Sequence, residues 1–489
     1  MTRPDKGREH PAPIRFGTDG WRAIIAQDFT FENVERVAQA YADYLNGARP
    51  GEPAPAPNVD GRRPEVVVGF DRRFMSDSFA VRAAEVMAGN GVAVAVFSDD
   101  VPTPLVSWAV RERGAAGGIV ITASHNHWAF NGFKIKSPWG GSATPETTAG
   151  VEALVDAAAP RRAALTEAET DLRESVESYR AQVASYVDLE RLRALDGVVV
   201  IDPMHGTGGR WVESFLQGGR LVVETIRSER DVLFRGMTAP EPIDRNLAAL
   251  KERVRGRGAL VGLATDGDAD RLGAANERGE TMTMHEVVPL ILLHLARVRG
   301  RSGGVVRTFS QSVLLKRIAA AHGLRLYETP VGFKYIADLM LREDILVGAE
   351  ESGGIGVRGH IPERDGILNS LLLLEAVVAS GRTPTEMVRE MHREFGEFHF
   401  GRRDLHTEVA RGLALVERLA TKPPAAVGAH AVESVETMDG TKLVFADESW
   451  LLFRQSGTEP ALRVYSEATS VEKMNALLDE GCRLADAFH

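Results

Sequence analysis

Gly118-Ile119-Val120-Ile121-Thr122-Ala123-Ser124-His125-Asn126-His127-Trp128-Ala129-Phe130-Asn131-Gly132-Phe133-Lys134 joins an apolar run to a turn crowded with polar groups. The run from Gly118 to Ile121 reads as a buried strand. A serine, two histidines, two asparagines, a glycine and a lysine follow it. They stand at a strand's carboxyl end, where open α/β sheets place their ligands. Taken alone, a Ser-His pair fits an ordinary polar loop just as well. What decides between the two is whether other strands of the chain end in the same way.

Upstream, Glu65-Val66-Val67-Val68-Gly69-Phe70-Asp71-Arg72-Arg73 is a buried strand that also ends in polar residues. Helices are expected over roughly Thr30 to Leu45, where Val34, Val37, Ala38, Tyr41 and Leu45 recur at helical spacing, and over Ser76 to Asn90. A strand at Val92 to Phe97 continues the alternation. This βαβ rhythm predicts a mainly parallel sheet with helices on both faces. Near the start, Phe16-Gly17-Thr18-Asp19-Gly20-Trp21-Arg22 reads as a short strand breaking into a Gly-bracketed turn that carries an arginine. Residues 1–13 read as a disordered tail, and Gly47 to Pro64 as a surface insertion.

Downstream, one helical stretch from Glu174 to Leu195 leads to a fresh buried strand, Gly197 to Asp202, which places a boundary near residue 188. Gly206-Thr207-Gly208-Gly209 is either a phosphate-binding turn at a helix N-terminus or only a tight turn. Leu260 to Ala264 is a strand ending in Thr265-Asp266-Gly267-Asp268-Ala269-Asp270-Arg271. A third α/β unit starts near Gly304 and carries Ala349-Glu350-Glu351-Ser352-Gly353-Gly354, then a long apolar helix to about Ser380. From about residue 402 the pattern turns to strands and hairpins closed by a helix, Val471 to Ala487. The divisions expected are 14–187, 188–300, 301–401 and 402–489. Three α/β segments in series hint at a repeat without a strict sequence period.

A chain of 489 residues is too long for one core. Its 58 Lys+Arg against 68 Asp+Glu give a formal charge of −10, which argues against a general nucleic-acid binder. Small anionic substrates held by local arginines remain compatible with that balance. The single cysteine, Cys482, permits no internal disulfide and points to a reducing compartment. No signal-peptide core or run of ~20 apolar residues is present. A cytoplasmic location with no membrane association is therefore expected.

The acidic loop carries the most chemistry. Asp266, Asp268 and Asp270 put three carboxylates within five residues, and their repulsion favours a bound cation. All-oxygen ligation selects a hard ion, Mg²⁺ before Ca²⁺ or Mn²⁺. With Glu277 these residues also fall on EF-hand positions one, three, five and twelve. Position six, however, is Arg271 rather than glycine, and a strand rather than a helix precedes. A solvated acidic turn is the remaining alternative. Mg²⁺ bound by only three carboxylates keeps sites open for a phosphate oxygen, and Ser124 is a candidate phosphoserine. Arg271 and Lys134 could share in neutralising its charge. Arg454-Gln455-Ser456-Gly457-Thr458, with Arg463 beyond, suits a phosphate dianion. Glu350 and Ser352 suit vicinal sugar hydroxyls.

Thr-Ala-Ser-His-Asn, Asp-Gly-Asp-Ala-Asp-Arg, Glu-Glu-Ser-Gly-Gly and Arg-Gln-Ser-Gly-Thr together, in this order, resemble the α-D-phosphohexomutase superfamily, within it the phosphoglucomutases and phosphomannomutases. The resemblance runs from about Ile14 to the C-terminus. It implies three related mixed α/β domains and a C-terminal α+β domain with an antiparallel sheet, set around a central cleft. It implies that Ser124 is the phosphorylated serine, and that Asp266, Asp268, Asp270 and the Ser124 phosphate bind Mg²⁺. Glu350 and Ser352 would read the sugar. Arg454, Ser456, Gly457, Thr458 and Arg463 would hold the phosphate that is not reacting. His125, Lys134, Arg22 and His360 become the candidates for general acid or base work. Arg271, Arg307, Gly332, Lys334 and Arg364 would line the substrate cleft. The implied reaction interconverts glucose 1-phosphate and glucose 6-phosphate through glucose 1,6-bisphosphate, which also serves as activator. A phosphomannomutase or a bispecific enzyme is the alternative, ahead of the glucosamine branch, which usually has Gln where this chain has Glu351. A metal-dependent phosphatase and a catalytically dead sugar-phosphate binder are the rivals of other kinds. A hexose phosphate is the expected partner, to a monomer or weak homodimer. Two positions depart from the family pattern: His127 stands where proline is common, and Ala349 where glycine is.

Overall fold

Val66, Val67 and Val68 have no exposed surface, and the strand they build is an interior strand of the first sheet. The structure, a computed structural model, describes residues 14–17, 19–48, 63–166, 170–456 and 460–488. The tail expected at 1–13 and most of the insertion expected at 47–64 lie outside the described residues. The first sheet comprises β1 (Trp21–Ile24), β2 (Glu65–Phe70), β3 (Ala93–Val96), β4 (Gly117–Ile121) and β5 (Phe130–Lys136), ordered β1-β5-β4-β2-β3. β2 runs parallel to β3 and β4, whereas β5 is antiparallel to both β4 and β1. The helices Phe31–Leu45 and Ser76–Gly89 bury Val34, Val37, Tyr41, Phe79 and Met87 in one core with Val66, Val68, Ile119 and Ile121.

The second sheet repeats this plan. Its strands are β6 (Val198–Asp202), β7 (Val222–Thr225), β8 (Val261–Thr265), β9 (Leu272–Ala275) and β10 (Thr281–Met282), ordered β10-β9-β8-β6-β7. β6 is parallel to β7 and β8, while β9 is antiparallel to β8 and β10. The third sheet, β11 (Gly304–Thr308), β12 (Leu326–Thr329), β13 (Ile345–Ala349) and β14 (Ile355–Val357), has the same core order without the last edge strand. In each of these three sheets one interior strand (β2, β6 or β11) has two parallel neighbours, and one of these turns back through a hairpin. The three hairpin loops, β4–β5, β8–β9 and β13–β14, contain Ser124, the aspartate triplet and Glu350.

The last sheet is antiparallel throughout: β15 (His399–His406), β16 (Ala426–Val427), β17 (His430–Glu436), β18 (Thr441–Phe445), β19 (Trp450–Gln455) and β20 (Ala461–Ala468), ordered β15-β20-β19-β18-β17-β16. Helices Val409–Thr421 and Val471–Asp486 contribute Leu415, Leu419, Leu477 and Leu478 to a core with Leu451, Phe453, Leu462 and Val464. Three mixed α/β sheets and one antiparallel C-terminal sheet thus make the architecture expected from sequence. Contacts divide the chain into two units. One is residues 14–178 with Asp231–Arg235; the other is residues 179–230 with 236 onward. Among the described residues no helix is long and apolar enough to cross a membrane.

Two local expectations are corrected. The turn comes before the strand, not after it: Gly17 and Gly20 bridge first, and Arg22 lies inside β1, because Trp21 to Ile24 pair with Phe130 to Phe133 of β5. The stretch 174–195 is two helices, Arg173–Ala184 and Leu189–Arg193, because Asp188 caps the second by accepting from the Arg191 amide at 3.0 Å.

Candidate active site

Ser124 sits directly after β4 with a left-handed backbone, φ 51°, and is 1% exposed. A non-glycine residue held there carries strain that its surroundings must maintain. Those surroundings are polar. The Ser124 amide donates to Thr122 Oγ1 at 2.9 Å, and the Thr122 hydroxyl donates to Asp71 Oδ2 at 2.6 Å. Arg73, wholly buried, donates to the carbonyls of Ser124, Asn126, His127 and Phe130 at 2.6 to 3.2 Å and pairs with Asp71 at 3.1 Å. Ser124 Oγ lies 3.2 Å from His125 Nδ1. Lys134 Nζ, buried on β5, meets Asp19 at 2.8 Å, and Arg22 donates to Asn126 Oδ1 at 2.8 Å. Ser124, His125, Lys134 and Arg22 therefore gather around one loop.

Asp266, Asp268 and Asp270 follow β8, are all buried, and bring one carboxylate oxygen each within 4.8 Å of the others. The turn is set by Ala269 at φ 60° and by Asp266 Oδ1, which accepts from the amides of Asp270 and Arg271. Burial, and then the charges of Asp268 and Asp270, hold the Asp266 carboxyl well above the usual range. At an effective dielectric of ~20, two such charges repel by about 3 kcal/mol. A divalent cation relieves that repulsion, so the donor set fits a hard ion such as Mg²⁺. The glycine turn at 206–209 supports this loop from below. A Cβ on Gly206 would lie 2.6 Å from the Gly267 carbonyl, one on Gly208 would lie 2.2 Å from Thr265 Oγ1, and the Thr207 amide donates to Gly267. The helix after it, Trp211–Leu216, is short, so close packing explains these glycines better than phosphate binding does.

The sugar-loop candidates lie against the same aspartates. Arg364 pairs with Asp270 at 2.8 Å and reaches Glu350 at 3.9 Å. Arg271 and Gly354 form a β-bridge, and Leu272 donates to the Gly353 carbonyl. Gly353 has φ 95°, and a Cβ there would lie 2.3 Å from the Leu272 oxygen. Burial raises the Glu350 carboxyl to about 7. Ser352 is half-buried beside it, and Glu351 accepts from the Ser310 hydroxyl at 2.6 Å. Arg307 pairs with Glu328 at 3.1 Å. Gly332 begins the helix Phe333–Arg342 at φ 138°, and Lys334 lies over the Tyr335 ring. His360 is packed differently from the other acid–base candidates: it is buried against Asp365 at 2.9 Å, between Tyr179 and Tyr186.

Arg454 and Arg463 face each other across β19 and β20. Asp439 holds Arg454 at 2.9 Å and also accepts from the Val331 amide, which ties the loop before the 333–342 helix to this sheet. Ser456 is buried; Gly457 and Thr458 lie outside the described residues. Reading the sequence missed Asp71, Arg73 and Asp439. The signal for the first two was present, since Asp71-Arg72-Arg73 ends a strand as the other polar loops do.

Known relatives share this layout. The phosphoglucomutase/phosphomannomutase family models match in all four parts: α/β/α domain I over residues 13–162, domain II over 177–279, domain III over 284–395 and the C-terminal domain over 413–483. A phosphoglucomutase/phosphomannomutase of Thermococcus kodakarensis is 31% identical over 476 residues, covering 96% of this chain and 98% of that protein. A phosphoglucosamine mutase of Moorella thermoacetica is 30% identical over 474 residues, covering 95% and 97%. The crystal structure of a Thermus thermophilus protein described as a phosphomannomutase superposes with TM-score 0.83 at 37% identity, covering 98% of this chain and all of that one. With its sheets, its loops and these relatives in agreement, the chain belongs to the phosphoglucomutase/phosphomannomutase family of α-D-phosphohexomutases, isomerases that act as intramolecular phosphotransferases.

Proposed function

We propose that the chain is a phosphoglucomutase that interconverts glucose 1-phosphate and glucose 6-phosphate. The observation that carries the reading is the repeated hairpin: three sheets of one plan each end a strand in a different component of phosphoryl transfer. Ser124 is the phosphoryl carrier. Its buried and strained backbone is held by the amide hydrogen bond to Thr122, and its hydroxyl lies 3.2 Å from His125 Nδ1, a fixed placement that favours group transfer. Asp266, Asp268 and Asp270 would hold Mg²⁺, which would supply positive charge to a phosphoryl group. Arg271 and Arg364 add fixed charge beside that loop.

Phospho-Ser124 gives its phosphoryl group to the free hydroxyl of the hexose phosphate, forming glucose 1,6-bisphosphate. The sugar then reorients, and Ser124 recovers a phosphoryl group from the other end. Among the acid–base candidates, Lys134, His125 and Arg22 gather at the Ser124 loop, and one of them exchanges the hydroxyl proton. His360 instead positions Asp365, and through it Arg364. Glu350 and Ser352 read sugar hydroxyls. Arg454, Ser456, Gly457, Thr458 and Arg463 hold the idle phosphate, with Arg307, Gly332 and Lys334 lining the approach. A bispecific enzyme also acting on mannose phosphates is the second reading, favoured by the names of the Thermococcus and Thermus relatives. The test is to supply purified protein with Mg²⁺, a trace of glucose 1,6-bisphosphate and glucose 1-phosphate. Formation of glucose 6-phosphate supports the reading; inertness toward both glucose and mannose 1-phosphates overturns it.

A further inference from the structure

A turn far along the chain ends on the arginine that clamps the serine loop. Residues Asp231–Arg235 belong by their contacts to the first unit, although their sequence neighbours belong to the second. Asp231 braces this turn: its carboxylate accepts from the Leu233 amide at 3.0 Å, and its carbonyl accepts from the Phe234 amide at 3.0 Å. The brace leaves Leu233 exposed and drives Phe234 inward, to 1% exposure. Phe234 is held at φ 47°, where a bulky side chain is strained unless its surroundings compensate. Its ring lies 5.0 Å from the Arg73 guanidinium carbon, and Arg73 is the fully buried clamp on the carbonyls of residues 124, 126, 127 and 130.

We propose that Phe234 is a positioning residue for Ser124, holding the Arg73 guanidinium desolvated and in plane so that it can fix the serine loop. A cation beside an aromatic face is attracted to it, more strongly where water is excluded. A guanidinium so confined keeps its donors aimed at the loop carbonyls instead of exchanging them for water. The strain at Phe234 and the strain at Ser124 are thus supported through one arginine. No residue of 231–235 is needed to touch the sugar for this to hold.

The test is amide hydrogen exchange on the full chain, with steady-state kinetics beside it. Phe234→Leu keeps apolar bulk and removes the ring. It is expected to speed exchange of the amides of residues 124–132 by about tenfold or more while leaving the fourth sheet unchanged. In the kinetic arm, which rests on the mutase reading, kcat falls by about tenfold with KM within about twofold. Phe234→Tyr, which keeps the ring, restores both. Asp231→Ala removes the carboxylate half of the brace and its 3.7 Å pairing with Arg235, keeps the carbonyl half and the Phe234 ring, and is expected to give the same local rise in smaller measure. Unchanged exchange at 124–132 in both Phe234→Leu and Asp231→Ala overturns the proposal, as does a rise spread evenly over the whole chain. Altered loop exchange in a protein that never had mutase activity would overturn the mutase reading and support this one.

Discussion

Ser124 combines burial, a left-handed backbone and a hydroxyl 3.2 Å from an imidazole nitrogen. If that hydroxyl carries the phosphoryl group, Ser124→Ala abolishes nearly all turnover, by about a thousandfold or more, and leaves the melting temperature and sugar-phosphate binding nearly unchanged. Retained turnover in that variant removes Ser124 from the reaction. The aspartates make a separate prediction. Mg²⁺ is expected to raise the melting temperature of the wild-type chain, because it relieves the repulsion among three buried carboxylates, and Asp268→Asn is expected to shrink that rise. An equal Mg²⁺ response in both proteins reassigns the loop. These two loops were legible because their chemistry is carried by side chains adjacent in sequence. Arg73 carried only the signal of a polar strand end, because its partners are main-chain carbonyls, which residue identity does not name. Asp439 likewise depends on a register, Arg454 opposite Arg463, that only the sheet reveals.

Among elements, the junction of the helix Met284–Leu293 with β15 holds a buried histidine whose charging opposes folding. His285 is fully buried, stacks on Phe400 at 3.6 Å between centroids, and donates from Nε2 to the Ser310 carbonyl. Burial lowers its pKa from the ordinary 6.5 to about 3. Between those values the unfolded chain binds the proton that the folded chain refuses. The stability cost of charging His285 is therefore absent above pH 6.5 and grows as pH falls toward 3, on the order of 5 kcal/mol in all. His285→Gln, which retains a donor and does not titrate, is expected to flatten the acid limb of stability measured by denaturant unfolding; an unaltered slope contradicts this. A second element rests on Asp365, which accepts from the amides of Ile367 and Leu368 at the start of the helix Gly366–Ser380 and also from Tyr179 and His360. Asp365→Ala should cost about 3 kcal/mol or more, because it removes a cap and orphans two buried groups. The βαβ rhythm was readable from apolar runs such as Val66 to Val68. The two misread segments turned on partners remote in sequence or on a cap: β1 is defined by β5, and the helix break by Asp188.

In the whole molecule, three sheets with one strand order carry three loops that differ in every functional residue. That repeat was only hinted at in the sequence, because it is kept in topology and not in a period of residues. The same fold serves relatives named for glucose, mannose and glucosamine phosphates, so the proposed reading assigns substrate preference to the residues of the Glu350 loop rather than to the fold. In the proposed reading glucosamine ranks last because Glu351, which accepts from the Ser310 hydroxyl, stands where the glucosamine branch usually has Gln. Parallel kcat/KM measurements are expected to rank glucose 1-phosphate first, mannose 1-phosphate next and glucosamine 1-phosphate last; glucosamine leading would reverse the assignment. The most direct measurement is peptide-level mass spectrometry of the protein treated with glucose 1,6-bisphosphate, before and after glucose 1-phosphate is added. A mutase working through Ser124 shows one phosphoryl group on the peptide containing that residue, and loses it to the sugar within a turnover. An active enzyme whose Ser124 never carries phosphate, or carries it without passing it on, contradicts the mechanism.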